Sequence, residues 1–236
     1  TTALKTGDHY QLNGTKSVVL NAASADVILV SARTEGQATD AHGISLFLVP
    51  GDSEGLLRKD YPTVDGLRAS EVLLENVRVP ASALVGSEGA ASQTLNTVIN
   101  RGILAISAEA VGAMAVLYQS TIDYTKQRVQ FDHPLSEFQV VKHRLTEMFI
   151  EYNLAKSLCM KATMLLNQNS EDAQRHIHAL KFLIGKTSRF VGQNAVQLHG
   201  GMGMTEDLAI AHYFKRLMMI DATFGHTDIH LDAFVQ

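Results

Sequence analysis

The chain has 236 residues and a net charge of −4, from 20 Lys+Arg against 24 Asp+Glu, with 46% hydrophobic and 19% charged residues. This composition excludes intrinsic disorder, and the lack of a basic excess argues against a nucleic-acid binder. The single cysteine, Cys159, cannot form an intrachain disulfide, which suits a reducing compartment and a cytoplasmic protein. The length allows one large domain or two modest ones with a real core. No run of about 18 apolar residues is read, so no membrane span is expected. Residues 1–6 match neither a signal peptide nor a helix start, and read as the interior of something longer.

Residues 8–78 are rich in β-branched residues and turn signals. Residues 8–14 predict a short strand ending in an Asn13-Gly14 turn, because Asn-Gly tolerates the positive φ of a tight hairpin. Residues 16–20 predict the returning strand. A third strand is expected over 25–31, with a continuous apolar centre, and two more over 44–49 and 69–79. Segments 34–42 and 51–62 carry the Gly, Asp and Ser of loops. The expectation is a five- or six-stranded antiparallel β domain over residues 1–85.

Beyond Pro80 the hydrophobic period becomes helical. A first helix is expected over residues 91–128. Ser136-Glu137-Phe138-Gln139 matches a capping box and opens a second. Its apolar stripe is Val141, Leu145, Met148, Tyr152, Ala155, Cys159, Ala162 and Leu166. A third carries Leu180, Leu183, Thr187, Phe190, Asn194 and Leu198 and stops at Gly200-Gly201-Met202-Gly203. Thr205-Glu206-Asp207 predicts the capped start of a fourth, with acids in its first turn. Long helices joined by short loops predict an antiparallel four-helix bundle over residues 86–236, so the fold class is α+β.

Residues 200–203 do not form G-x-G-x-x-G and follow a helix, which rejects a Rossmann site. Their plain reading is a helix–helix turn that needs positive φ. His176-x-His178 and His226-x-x-x-His230 are the closest histidine pairs, with Asp228 inside the second. No Cys or Glu completes either, and no metal is expected. Cys159 lies on the apolar stripe as a small core residue. No G-x-S-x-G elbow supports a hydrolase triad. The densest segment is Arg128-Val129-Gln130-Phe131-Asp132-His133-Pro134-Leu135. An Arg fork beside an aromatic and an amide suits a phosphate with a stacked heterocycle, while a polar helix–helix turn fits the same spacing.

Four ordered segments carry a family resemblance. Arg128-x-Gln130-Phe131-x-x-Pro134-Leu135 with Phe138-Gln139 resembles the flavin-binding turn R-x-Q-F-G-x-P-I/L…F-Q of the acyl-CoA dehydrogenases. Gln197-Leu198-His199-Gly200-Gly201-Met202-Gly203 resembles their Q-x-x-G-G-x-G signature. Leu74-x-x-Val77-Arg78-Val79-Pro80 resembles the strand leaving their β domain, with Leu74 in place of Phe. Tyr10-x-Leu12-Asn13-Gly14-x-Lys16 resembles its opening hairpin. Within the family the chain most resembles the small, partner-type subunits of bacterial members, such as those named for pimeloyl-CoA.

The resemblance implies a middle β domain and a C-terminal helical domain that binds flavin and mediates oligomerisation, with the family's N-terminal helical domain missing. It implies a cytoplasmic protein of bacterial type, FAD as cofactor and an acyl-CoA substrate. It also implies an electron-transfer flavoprotein or similar acceptor, and a homo- or hetero-oligomer built as a dimer of dimers. Arg128 is expected to meet the pyrophosphate of a neighbour's FAD. Gln130, Phe131, Leu135 and Gln139 are expected along its adenosine portion. Gln197, Gly200 and Gly201 are expected to approach the diphosphate.

The family reaction is α,β-dehydrogenation of an acyl-CoA thioester, in which a Glu takes the α-proton and a hydride passes to the flavin. Here the usual Tyr-Glu-Gly-Thr segment reads Thr223-Phe224-Gly225-His226, so Phe224 falls at the base position. The alternative position, at residues 96–101, holds no acid. No catalytic residue is therefore assigned. Asp221 or Asp228 is left as a displaced base, with solvated helix charges as the plainer reading. Val18 and Leu20 stand where an aromatic and a hydroxyl usually touch the flavin ring, and the T-E-P-x-x-G-S-D loop of the missing domain is absent. Three readings follow. The chain completes the FAD site of a catalytic partner, or it is a self-sufficient dehydrogenase, or it is a structural subunit without flavin.

Overall fold

Strand-period burial organises the first part of the chain. β1 (Thr2–Thr6) and β2 (His9–Leu20) form a hairpin about Gly7-Asp8, with Ala3 opposite Leu12 and Lys5 opposite Tyr10. β3 (Val27–Arg33), β4 (Ile44–Pro50), β5 (Leu56–Pro62), β6 (Arg68–Pro80) and β7 (Leu84–Val85) complete one sheet. The order is β5-β6-β2-β1-β3-β4-β7. Neighbours are antiparallel except β1 and β3, which meet in parallel at Thr2 and Arg33. The structure is a computed structural model and describes residues 1–235.

One face of this sheet buries Tyr10, Leu12, Val30, Phe47, Val49, Val72, Leu74 and Val77. The Tyr10 and Phe47 rings meet at 4.8 Å between centroids. Each such side chain removed from water contributes about 1.5–3 kcal/mol. In β3 and β4 the alternate residues Val27, Leu29 and Leu48 are exposed, as a pleat requires.

Several expectations are corrected here. The sheet has seven strands rather than five or six. Asn13-Gly14 is no turn: β2 runs through it, and the strand is bulged between Leu12 and Gly14. Gly14 has φ 137, and a Cβ there would lie 2.6 Å from Thr1 Cα, so its glycine serves a close backbone approach. Asn13 Oδ1 instead accepts the Asn76 N–H at 2.8 Å. β5 occupies residues expected as part of the 51–62 loop, and β1 precedes the first expected strand; both are largely polar or exposed and lack the apolar alternation that marks a strand. The third strand begins at Val27, two residues later than expected.

The chain divides into two units, residues 1–98 and the helical part from Ile99 onward. α1 (Ser92–Gln127) spans the division. A two-stranded ribbon, β8 (Val129–Gln130) with β9 (His133–Pro134), leads to α2 (Gln139–Asn167). α3 (Ala173–His199), α4 (Ala209–Ala222) and α5 (Thr227–Val235) follow. The shared core holds Ile103, Met114, Leu117, Met148, Ala155, Ala162, Ile177, Leu180, Ile184, Val191, Ala195, Leu217 and Ile220. The α2 stripe packs as expected, with Leu145, Tyr152 and Leu166 at its margin. On α3 the buried line runs through Ile177, Leu180, Ile184 and Val191, and Leu183 and Asn194 are only half-buried. Gly192 lets the Phe214 ring of α4 lie against α3.

Neither expected helix cap forms. Leu135–Glu137 makes a 3-10 turn, so Phe138 becomes the N-cap of α2 with no side-chain bond. Residues 205–207 precede α4, whose N-cap is Leu208. Glu206 instead pairs with Lys215 at 2.8 Å, which lowers the Glu206 pKa. α1 has no unbroken apolar run of spanning length, since Arg101, Ser107 and Glu109 interrupt it, yet by length and composition it is long and apolar enough to cross a membrane. Its buried residues Ile103, Ala110, Met114 and Leu117 belong to the helical core.

Candidate flavin-turn site and the Phe224 turn

At the end of α1 the chain must reverse in two residues. Arg128 N–H donates to Tyr124 C=O at 2.9 Å, and Leu135 N–H donates to Arg128 C=O at 2.8 Å, closing the ribbon. Its tip is Phe131-Asp132, with φ 55 and 65, the two positive values of a type I′ turn. An aromatic residue there is strained by local sterics, and its ring is also presented to solvent, 85% exposed. Phe138 meets it edge-on at 6.3 Å. Arg128, Gln130 and Gln139 are exposed and Leu135 is half-buried. The Gln130 amide donates to Val129 C=O at 2.8 Å, and His133 Nδ1 lies 2.9 Å from Glu137 Oε2.

The second signature follows α3. Gln197 is exposed on its last turn, and Gly200 caps it with φ 63 and ψ −145. That conformation is close to glycine-only territory. Residues 200–204 continue as a 3-10 turn. A Cβ on Gly200 or Gly201 would meet nothing within 4 Å, so the backbone there is open to a ligand. Tyr124 joins the two signatures: its ring stacks on His199 at 4.3 Å, and its hydroxyl donates to His199 C=O at 3.4 Å. The eight expected cofactor residues therefore sit on two turns and on the ends of α2 and α3 beside them, with Tyr124 linking the two segments.

The Phe224 segment is a separate turn, between α4 and α5. Phe224 and Gly225 have φ 59 and 104. The Phe224 ring is 44% exposed and rests on Gly102 of α1, where a Cβ would lie 2.8 Å from Cε2 and Cζ. Lys181 of α3 is fully buried beneath the turn. Its Nζ donates to Asp221 C=O at 2.8 Å and to Gly225 C=O at 2.9 Å. Burial pulls the Lys181 pKa down to about 8, against the nearby Asp221 charge that raises it. The buried Asp221 carboxylate accepts from Thr227 Oγ1 at 2.6 Å and from Arg189 Nη2 at 3.2 Å. His230 Nε2 lies 2.9 Å from Phe224 C=O, and His230 Nδ1 lies 2.9 Å from His178 Nδ1. Asp228 is exposed at the start of α5, on the wall of a cavity of about 430 Å³ with Phe182, Phe190 and Lys186.

The C-terminal domain model of the acyl-CoA dehydrogenases matches residues 89–236, and their middle domain model matches residues 1–77. The chain belongs to the acyl-CoA dehydrogenase family. It is similar to the probable acyl-CoA dehydrogenase YngJ of Bacillus subtilis, 31% identical over 232 residues that cover 97% of this chain and 61% of that one. Among solved structures, an acyl-CoA dehydrogenase from Geobacillus kaustophilus superposes with a TM-score of 0.94 at 30% identity, covering 100% of this chain and 63% of that one. The ChsE4-ChsE5 complex from Mycobacterium tuberculosis superposes with a TM-score of 0.88 at 25% identity, covering 99% and 61%. The chain thus spans about three-fifths of the length of the relatives it matches.

In sequence, Asp221, His178 and His230 stand only as separate candidates, and Lys181 beneath the Phe224 turn is not among them. Lys181 was detectable, because it falls four residues after Ile177 and three before Ile184, on the buried face of α3. His178 and His230 are 52 residues apart and meet only through the docking of α5. In this family member Val18 has φ 53, and its N–H donates to Glu71 Oε1 at 3.3 Å. The Glu71 carboxylate, its pKa lowered first by Ser17, also takes the Tyr61 hydroxyl at 3.1 Å and so holds a second irregularity of β2, between Lys16 and Val19.

Proposed function

We propose that this chain is a subunit of an FAD-dependent acyl-CoA dehydrogenase, and that it completes the FAD site of a catalytic partner instead of catalysing alone. One observation supports the reading: Phe224, which the resemblance puts at the family's base position, is a phenyl ring packed on Gly102. A phenyl ring takes no proton. Asp221 is committed to Thr227 and Arg189, which makes it an anchor of the turn, and Asp228 is a solvent-facing helix charge.

The residues of residues 86–236 fit a dinucleotide. Arg128 offers an exposed guanidinium with no ion pair among the described residues, Phe131 an exposed ring, and Gly200 and Gly201 an open backbone. Arg128 would hold the pyrophosphate, by a charge-assisted contact. Gln130, Phe131, Leu135 and Gln139 would line the adenosine portion, and Gln197, Gly200 and Gly201 would approach the diphosphate. When bound, FAD supplies the acceptor for the hydride that leaves the acyl β-carbon. The partner supplies the Glu, the acyl-CoA pocket and the flavin-ring contacts that Val18 and Leu20 lack. The type proposed is the small, partner-type bacterial subunit, in a cytoplasmic dimer of dimers that passes electrons to an electron-transfer flavoprotein. A solved assembly of two differently named chains, ChsE4 with ChsE5, supports the heteromeric form.

The test is turnover of a panel of acyl-CoA thioesters with an artificial electron acceptor. The isolated chain is expected to be inactive, since a missing general base costs about 10²–10⁴-fold. Phe224→Glu alone should not restore turnover. Co-expression with a family chain that carries the Glu should give a yellow, active complex. Turnover by the isolated chain that Asp221→Asn or Asp228→Asn abolishes would overturn the partner reading. A colourless complex would leave only a structural subunit.

A further inference from the structure

We propose that the His178–His230 pair is an acid-sensitive latch, which holds α5 and the Phe224–Gly225 turn on α3 at neutral pH and releases them as the rings take up protons. The proposal is independent of flavin binding. Its basis is geometric. The two Nδ1 atoms lie 2.9 Å apart, so only one proton fits between them. His230 Nε2 faces the Phe224 carbonyl at 2.9 Å and must donate to it. In the neutral pair His230 Nδ1 is therefore the acceptor, and His178 Nδ1–H is the donor. A single tautomer of each ring satisfies both bonds. When both rings are protonated, two N–H groups point at each other with no acceptor between them.

The surroundings oppose charge as well. His230 is buried, and its pKa is lowered first by that burial and further by the Lys181 ammonium and by His178, against the Phe224 carbonyl, which raises it. The His178 pKa is lowered by burial. Lys181, on the same helix as His178, holds the Asp221 and Gly225 carbonyls. On the far side of Lys181 the Asp221 carboxylate is shared by Arg189, Thr227 and, at 3.9 Å, His226. At the open side of His178 stand Glu171 and Arg175 of the α3 end, and Arg175 lies over the Phe234 ring of α5 at 4.9 Å. Asp228 and Asp232 of α5 are exposed. No carboxylate is hydrogen-bonded to either ring among the described residues, so nothing in contact neutralises a doubly charged pair.

Depressed histidine pKa values mean that the released state binds protons more tightly. The docked state then loses ground as the pH falls below about 6.5, the value of a free imidazole. The affected segment is the 9-residue α5 with the positive-φ turn that precedes it. Release would move Phe224 off Gly102.

The experiment is NMR of the chain with ¹⁵N-labelled histidine from about pH 7.5 to about pH 5, a window that isolates imidazole from carboxylate titration. Amide exchange of residues 227–235 is followed in parallel and corrected for its intrinsic pH dependence. At the upper limit His178 should carry its proton on Nδ1 and His230 on Nε2. On acidification the two rings should titrate together, and α5 protection should fall about 10- to 100-fold per pH unit, the limits for one and two protons taken up. In His178→Gln the amide still donates to His230 Nδ1 but cannot charge, so the fall should be limited to about 10-fold per unit or less. Separate titration of the rings with α5 protection unchanged would overturn the proposal. So would the opposite tautomers, or an equally steep loss in His178→Gln. The wild-type tautomers and titration decide the matter if that variant does not fold.

Discussion

The ring of Tyr124 stacks on that of His199 at 4.3 Å and 26°, and its hydroxyl reaches the His199 carbonyl, so the end of α1 is fastened to the end of α3. His199 is buried and its Nδ1 lies 2.8 Å from Ala195 C=O, which fixes the ring as a Nδ1–H donor. Tyr124→Phe keeps the stack and loses only a long hydrogen bond, at a cost of about 0.5–1 kcal/mol. Tyr124→Ala removes the stack and its packing, at about 2–3 kcal/mol. Urea titrations of the two variants check the difference.

Arg128→Ala leaves the fold alone, because its guanidinium is exposed and its structural role is a backbone bond. In the flavin-loaded complex it should lower flavin retention about tenfold or more, the equivalent of a charge-assisted bond of roughly 1.5–3 kcal/mol. Absorbance of retained flavin after gel filtration, beside an unchanged circular dichroism spectrum, is the measurement. Equal retention in both proteins would withdraw Arg128 from the site.

Gly200 and Gly201 should separate folding from binding. Gly200 has φ 63, so Gly200→Ala should cost about 1–3 kcal/mol of stability. Gly201 has no positive φ and open space about it, so Gly201→Ala should be close to neutral for folding. Both should weaken flavin retention if the open backbone meets a diphosphate. Thermal melts of each variant, with and without FAD in the complex, resolve the two effects.

Gly185 is needed for space. A Cβ on it would collide with Asp221 Oδ1 and Thr227 Oγ1, the hydrogen-bonded pair that joins α4 to α5, while Arg189 ties Asp221 to α3. Gly185→Ala should cost about 2–4 kcal/mol through overpacking and the broken bonds of a buried carboxylate. Gly112 has nothing within 4 Å of a Cβ, and Gly112→Ala in the same helical unit should be neutral or stabilising by up to about 1 kcal/mol. Chemical denaturation of the pair is the comparison.

Lys181 makes stability rise with pH on the alkaline side. Its pKa is lowered from 10.5 to about 8 by burial, so between these values the unfolded chain holds a proton that the folded chain has released. Stability should therefore rise as the pH goes from about 8 to about 10, by an amount on the order of 2 kcal/mol. The neutral amine still donates to the Asp221 and Gly225 carbonyls. Lys181→Met should reduce the rise, leaving the smaller share of the half-buried Lys16, and cost about 1–3 kcal/mol at neutral pH by orphaning two buried carbonyls. Denaturation midpoints at several pH values between these limits check the slope.

What the sequence determined by itself was local and periodic. The α2 stripe from Val141 to Leu166 was legible because burial in a helix recurs every three or four residues, and that spacing is written in the chain. The stop of α3 at Gly200 was legible because its positive φ calls for glycine. The tertiary structure alone decided what depends on partners distant in sequence. Asn13-Gly14 looks like a turn in isolation, but Thr1 packed against Gly14 and the pairing of β2 with β6 keep the strand running through it. The caps expected at Ser136 and Thr205 gave way to 3-10 and ion-pair geometry. The polar network of Lys181, Asp221, His178 and His230 draws on three helices, and no local pattern encodes which buried hydrogen bonds the docking of α4 and α5 on α3 will satisfy.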